Sequence, residues 1–114
     1  MTIKEIEKNS EFEVITSKDH TDRDIKGGYC SDLLSDVIAN AKEGDIWITL
    51  QIHLNIVAVA AMKGISAIVI VNGRKPDEAT ISKANEEGVT ILVSVLPAFE
   101  VVSKLYDLGV RGVR

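Results

Sequence analysis

The run Ala67-Ile68-Val69-Ile70-Val71 constrains the chain most, because it is aliphatic throughout with no polar interruption. A strand with one wet face alternates apolar and polar side chains. An unbroken aliphatic run closed by the turn signal Asn72-Gly73 fits a strand buried on both faces, as in the centre of a parallel sheet. Parallel strands require crossovers, and helices between them supply these. The flanking sequence has that alternation. Ser31 to Gly44 places Leu33, Leu34, Val37, Ile38 and Ala41 on one helical stripe, with Ser31 as the expected N-cap, Asp32 in the positive first turn and Gly44 as the stop. Asp45 to Leu50 and Val89 to Ser94 read as strands. Pro76 suits the first position of a helix running to Glu87, with Asp77 and Glu78 in its first turn and Gly88 ending it. Pro97 opens a last helix through Leu108, before Gly109.

The amino-terminal part is less regular. Thr2 and Glu5 have the capping-box spacing, and Ile3 and Ile6 share a face, which predicts a short helix over residues 2–9. Glu11 to Thr16 alternates like a strand with one buried face. Residues 17–28 are polar and read as a solvated connection, with a short strand near Ile25. The sum is an α/β fold. It is a three-layer α/β/α arrangement on a mainly parallel sheet of four to five strands, with residues 1–114 as a single domain.

One stretch does not fit a small monomer easily. Ile52 to Lys63 has the length and alanine content of a helix, yet almost every side chain is apolar. A helix that is hydrophobic all round must be covered on more than one side, so a second copy is expected to supply part of the cover. Leu54, Val57, Ala58 and Ala61 are the expected interface. Trp47, which alternates away from Ile46 and Ile48, packs under a helix or joins that interface.

Composition narrows the function classes. With 114 residues, 46 % hydrophobic but only 4 % aromatic, the chain can build one aliphatic core and has no room for a catalytic domain beside a regulatory one. The formal charge of −4 argues against a grip on nucleic-acid backbone. The single cysteine, Cys30, excludes an intrachain disulfide framework and suits a small apolar filler in a reducing compartment. The start has no apolar signal region, and no apolar run approaches the ~18 residues that span a bilayer. A cytoplasmic protein without membrane contact is expected.

In open α/β sheets ligands bind outside the carboxyl ends of the strands. Those ends carry Ser31, Asp32, Gln51, His53, Asn55, Asn72, Gly73, Arg74 and Ser94, and each leads into a helix amino terminus that favours an anion. Arg74 and Lys75 make a local basic spot. These residues are the candidate ligand-binding set, although each has a plainer role. Ser31 can be only a cap, Asn72-Gly73 only a turn, and His53 and Arg74 only surface groups. No phosphate loop, dinucleotide fingerprint or nucleophile elbow is present. Two histidines 33 positions apart with one cysteine do not make a zinc site, so neither a metal nor a cofactor is expected.

Gly28-Tyr29-Cys30-Ser31-Asp32-Leu33-Leu34-Ser35-Asp36-Val37-Ile38-Ala39-Asn40-Ala41 resembles DRTGG-domain proteins. So do Asp45 to Thr49, Val71 to Glu78, Ala98-Phe99-Glu100 and Leu105 to Gly109, in family-like order over nearly the whole chain. The resemblance implies a small regulatory module similar to the amino-terminal domain of HPr kinase/phosphorylase. Such domains stand beside CBS pairs in regulated pyrophosphatases and in front of some phosphotransacetylases. Stand-alone members are often encoded beside iron-only hydrogenase or electron-transfer proteins. They are regarded as accessory, dimerising or ligand-sensing domains. The name-giving motif is altered here. Ile52-His53 stands at its Asp-Arg pair and Val71-Asn72-Gly73 at its Thr-Gly-Gly, so only Gly73 is kept. The expectation is a non-catalytic, ligand-sensing homodimer. It would bind a nucleotide or other phosphorylated metabolite and regulate a redox or metabolic partner protein. A purely structural dimerisation module and a small phosphotransfer or hydrolytic enzyme are the alternatives.

Overall fold

A computed structural model describes residues 1–113. They form α1 (Ile3–Glu7), β1 (Glu13–Val14), β2 (Gly27–Cys30), α2 (Leu34–Asn40), β3 (Asp45–Thr49), α3 (Asn55–Lys63), β4 (Ala67–Ile70), α4 (Glu78–Glu87), β5 (Ile91–Val93) and α5 (Ala98–Asp107). The sheet order is β1-β5-β4-β3-β2. Strands β2 to β5 are parallel, and β1 pairs antiparallel with β5 through Glu13 to Val93 and Val14 to Leu92.

This order explains the layers. Strands β2, β3, β4 and β5 are laid down side by side in one direction, and right-handed crossovers then put every connecting helix on the same face. That face buries Val37 of α2, Ile56, Val57, Val59 and Ala60 of α3 and Ala84 of α4 against Trp47, Ile68, Ile70, Ile91 and Val93. The opposite face needs cover from outside the crossovers. Ile3 and Ile6 of α1 and Val101 and Leu105 of α5 supply it, packed on Ile46, Ile48, Ala67, Val69, Val71 and Leu92. The three-layer α/β/α expectation is met, and β3, β4 and β5 are buried at every position. No helix among the described residues is long and apolar enough to cross a membrane.

Several boundaries differ from the sequence reading for local reasons. Helix α2 begins at Leu34, with Leu33 rather than Ser31 at the N-cap position, because Asp32 is drawn toward β3. Helix α3 begins at Asn55, not Ile52. Pro76 and Pro97 lie just outside their helices: Asp77 caps α4 by accepting from the Thr80 amide, and Pro97 itself is the N-cap residue of α5. The capping box of Thr2 and Glu5 is formed. The strand expected near Ile25 is at Gly27–Cys30, and Ile25 is a core residue instead. Residues 17–28 are anchored as well as polar. Thr21, Ile25 and Gly27 are buried, and Arg23 Nη1 donates to Gly88 O at 2.8 Å. Gly64 ends α3 at φ 68°, where a Cβ would also come within 2.9 Å of Glu43 Cγ.

Two expected interface residues need correction. Trp47 and Val57 are fully buried inside this chain, so neither has surface to offer a second copy. Trp47 packs under helices of its own chain, and its indole Nε1 donates to Ser31 O at 2.8 Å. Leu54, Ala58 and Ala61 do lie on the exposed side of α3.

The two-sided core sets a contrast for unfolding experiments. Ile68→Ala, at the centre of β4, is expected to cost about 2–5 kcal/mol by opening a cavity. Met62→Ala, on the outside of α3, should change stability by no more than ~0.5 kcal/mol. Denaturant titration followed by Trp47 fluorescence measures both, and equal effects would contradict the packing described.

Candidate functional site

The carboxyl ends of β2 to β5 come together because the strands are parallel and in register. Their loops are tied to one another across the rim. Asp32 Oδ1 accepts from Thr49 Oγ1 at 2.9 Å and from the Leu50 amide at 2.7 Å, joining the loops after β2 and β3. Gln51 Nε2 returns a bond to Asp32 O at 2.9 Å. Arg74 Nη1 donates to Leu50 O at 2.6 Å, joining the loops after β3 and β4. The Asn72 and Gly73 amides donate to Leu96 O at 2.9 Å and Ser94 O at 2.8 Å, joining the loops after β4 and β5.

The sequence-predicted residues therefore divide by use. Ser31, Asp32, Gln51, Asn72, Gly73, Arg74 and Ser94 all sit on the rim but spend part of their hydrogen-bonding capacity on its architecture. Asn72 and Gly73 adopt φ of 62° and 68°, a left-handed pair that turns the chain and aims both amides at the loop after β5. They are not open donors for a phosphate, contrary to the sequence expectation. Ser31 Oγ accepts from the Leu33 amide at 3.2 Å, and Ser94 Oγ accepts from the Leu96 amide at 3.2 Å. His53 and Asn55 are exposed on the neighbouring loop and first helical turn.

A side-chain chain absent from the sequence reading lies beside the rim. Tyr29 Oη donates to Asp36 Oδ2 at 2.8 Å, and Asn40 Nδ2 donates to Asp36 Oδ1 at 2.9 Å. The Tyr29 hydroxyl, then Ser31 and Asn40, hold the Asp36 carboxyl below the usual carboxylate range. The same bond to Asp36 pushes the Tyr29 hydroxyl up. The one legible signal was the i, i+4 spacing of Asp36 and Asn40. Asp77 is also held low, first by the Thr80 amide, then by the Thr80 hydroxyl and by the charge of His53. The Cys30 thiol is pushed up by burial and by the Asp32 charge, the opposite of an activated nucleophile.

The connections after β4 and β5 leave toward opposite faces, to α4 and α5. Such a divergence between adjacent parallel strands is a topological switch point, where α/β sheets open a crevice. A cleft of about 170 Å³ lies there, lined by Gly73, Lys75, Ser94 and Val95 with Ser10, Glu11 and Glu13 opposite. Glu11 is neutralised by Lys104 at 2.7 Å, which in turn raises the Lys104 ammonium. A larger, apolar groove of about 530 Å³ runs elsewhere, between Cys30 at the sheet edge and Ala98, Phe99, Val102, Ser103 and Tyr106 of α5. Among the described residues no group of three or more His, Cys, Asp or Glu side chains is placed to hold a metal ion.

No protein-family model matches the chain, and none of the curated proteins matches it. Its fold is similar to a solved structure of the CBS and DRTGG domains of the regulatory region of Clostridium perfringens pyrophosphatase, complexed with the activator diadenosine tetraphosphate. The TM-score is 0.75 at 16 % sequence identity, over 90 % of this chain and 44 % of that one. The chain thus spans less than half the length of that solved regulatory region, and the likeness is one of fold. It supports a DRTGG-like architecture.

Two measurements test the rim. Asp32→Ala leaves the Thr49 hydroxyl and the Leu50 amide without their acceptor, and should cost about 1–3 kcal/mol by urea titration, part of it recovered in Asp32→Asn. An unchanged urea midpoint in Asp32→Ala would remove the carboxylate from its bridging role. The second concerns pH. Asp36 and Asp77 ionise more readily folded than unfolded, so their stabilisation is fully present above the ordinary carboxylate range and is lost as pH falls from that range through their lowered folded values. Melting temperature should therefore drop on acidification, and less steeply in Asp36→Asn and Asp77→Asn. Asp77→Asn should be near neutral at pH 7, since asparagine caps about as well as aspartate. Identical acid profiles for wild type and both variants would contradict the assignment.

Proposed function

We propose that the chain is a non-catalytic regulatory module that senses a phosphorylated small molecule, such as a nucleotide, at the carboxyl ends of β4 and β5. The observation that carries this reading is that the switch point coincides with the basic pair of the rim. Lys75 lines the cleft, and the adjacent Arg74 has its guanidinium already fixed on Leu50 O. A guanidinium anchored through one donor keeps its others for an anion and loses less side-chain freedom on binding. At about 170 Å³ the cleft suits a phosphate-sized group, since pockets that enclose a whole ligand measure roughly 300–1,000 Å³. The rest of the ligand lies across the open rim beside His53 and Asn55.

The similar protein supports the class of ligand, because its activator, diadenosine tetraphosphate, is a polyphosphate nucleotide. The raised Cys30 thiol and the structural use of Ser31 and Asp32 support a sensing role over a catalytic one. In this reading the ligand-bound rim is what a metabolic or electron-transfer partner protein recognises.

Calorimetric titration with ATP and with diadenosine tetraphosphate at low salt tests the proposal. Arg74→Ala and Lys75→Ala together should weaken binding by at least about tenfold, and Glu13→Gln, which removes a carboxylate facing the anion, should strengthen it. Absence of binding, or an affinity indifferent to all three residues, would overturn it.

A second reading, in which the module acts by pairing with a second copy, is favoured by one observation. The outer side of α5 leaves Phe99 84 % exposed and Tyr106 55 % exposed.

A further inference from the structure

We propose that the outer side of α5, with the groove beside it, is the surface through which two copies of this chain pair about a two-fold axis. The inference rests on the two-copy reading above and moves the contact from α3, where the sequence pointed, to α5.

Helix α5 carries two apolar stripes. Val101 and Leu105 face the sheet and are buried. Phe99, Val102 and Tyr106 recur at spacings of three and four on the other side, the pattern of a helix that packs on a second partner. This second stripe is only partly covered within the chain: Phe99 is 84 %, Val102 39 % and Tyr106 55 % exposed. The exposed face of α3 is built mostly of small side chains, with Leu54 and Met62 as its large ones, and offers far less aromatic surface.

The occupant follows from self-complementarity. An isologous interface needs one patch that contains both a projection and the recess that receives it. Here the projection is the Phe99 ring, and the recess is the groove of about 530 Å³ between Cys30 and α5, which the same helix lines. The two rings, Phe99 and Tyr106, stand at the ends of the stripe, equally far from a point between Val102 and Ser103. Antiparallel pairing on that point sets Phe99 against the partner's Tyr106 and brings Ser103, whose side chain is small, to the axis where the helices approach most closely. A ten-residue helix is only about 15 Å long, so α5 alone falls short of the ~800 Å² per partner of a standard interface. The patch does continue past it. A second recess of about 330 Å³ shares Cys30, Val102 and Tyr106 with the first and extends over Tyr29 of edge strand β2 to Val113. Arg111 holds that extension in place, with its guanidinium 3.7 Å from the centroid of the Tyr106 ring.

Disulfide trapping tests the surface. In a Cys30→Ser background, Ser103→Cys should give a covalent dimer on mild oxidation, and Ala58→Cys on α3 should not. Sedimentation of the wild-type chain at about 100 μM should show a dimer, and Phe99→Glu should sediment as a monomer with an unchanged circular dichroism spectrum. A dimer that is trapped through Ala58→Cys, or that Ser103→Cys fails to trap, overturns the α5 surface and leaves the two-copy reading standing. A wild-type monomer at that concentration overturns both. The Ser103→Cys result decides the matter even if Phe99→Glu does not fold.

Discussion

Burial of β3, β4 and β5 on both faces is the constraint from which the rest follows. Every residue of Asp45–Thr49, Ala67–Ile70 and Ile91–Val93 is out of water, so both faces of the sheet need a helical layer. The side-by-side order of β2 to β5 commits α2, α3 and α4 to one face. The other face falls to α1 and α5, and α5 reaches it only by leaving β5 in the direction opposite to α4. That divergence creates the switch point and its cleft. It also leaves α5 at the border of the sheet beside edge strand β2, with one apolar stripe spent on the core and another on the surface.

Much of this was legible in the sequence. The aliphatic runs, the capping box of Thr2 and Glu5 and the glycines after α3 and α4 identify the elements, since each depends on local chemistry alone. The errors arise where a long-range bond outbids a local preference. Asp32 looks like a first-turn acid, but the Thr49 hydroxyl and Leu50 amide from the next strand draw it away and delay α2. Trp47 and Val57 look like surplus apolar surface, because a linear pattern does not count how many layers the tertiary fold provides. The α5 stripe was equally visible as a pattern at 99, 102 and 106. What hid it is that helical spacing alone does not say which of two apolar stripes meets the core.

The rim shows why a list of polar residues is not yet a site. The nine predicted ligand residues do cluster at the strand ends, as the parallel topology requires. Most are engaged in holding four loops together, and the Asn72-Gly73 amides are fully engaged. What remains available on this frame is a few groups: Arg74, clamped on Leu50 O, the exposed Lys75 at the switch-point cleft, and His53 and Asn55 nearby. Stiffness favours a sensor, since a preorganised rim loses less entropy when it binds. Part of the regulatory region solved with diadenosine tetraphosphate has a similar fold at 16 % sequence identity.

The proposed ligand sits on the β4/β5 side of the carboxyl rim and not in the larger apolar groove. Residue-resolved NMR locates it, by following every backbone amide while ATP is added. Shifts should concentrate at residues 72–77 and 93–96, with weaker changes at 51–55 and none along α5. Changes centred on Phe99, Val102 and Tyr106, or no changes at saturating nucleotide, would contradict this placement.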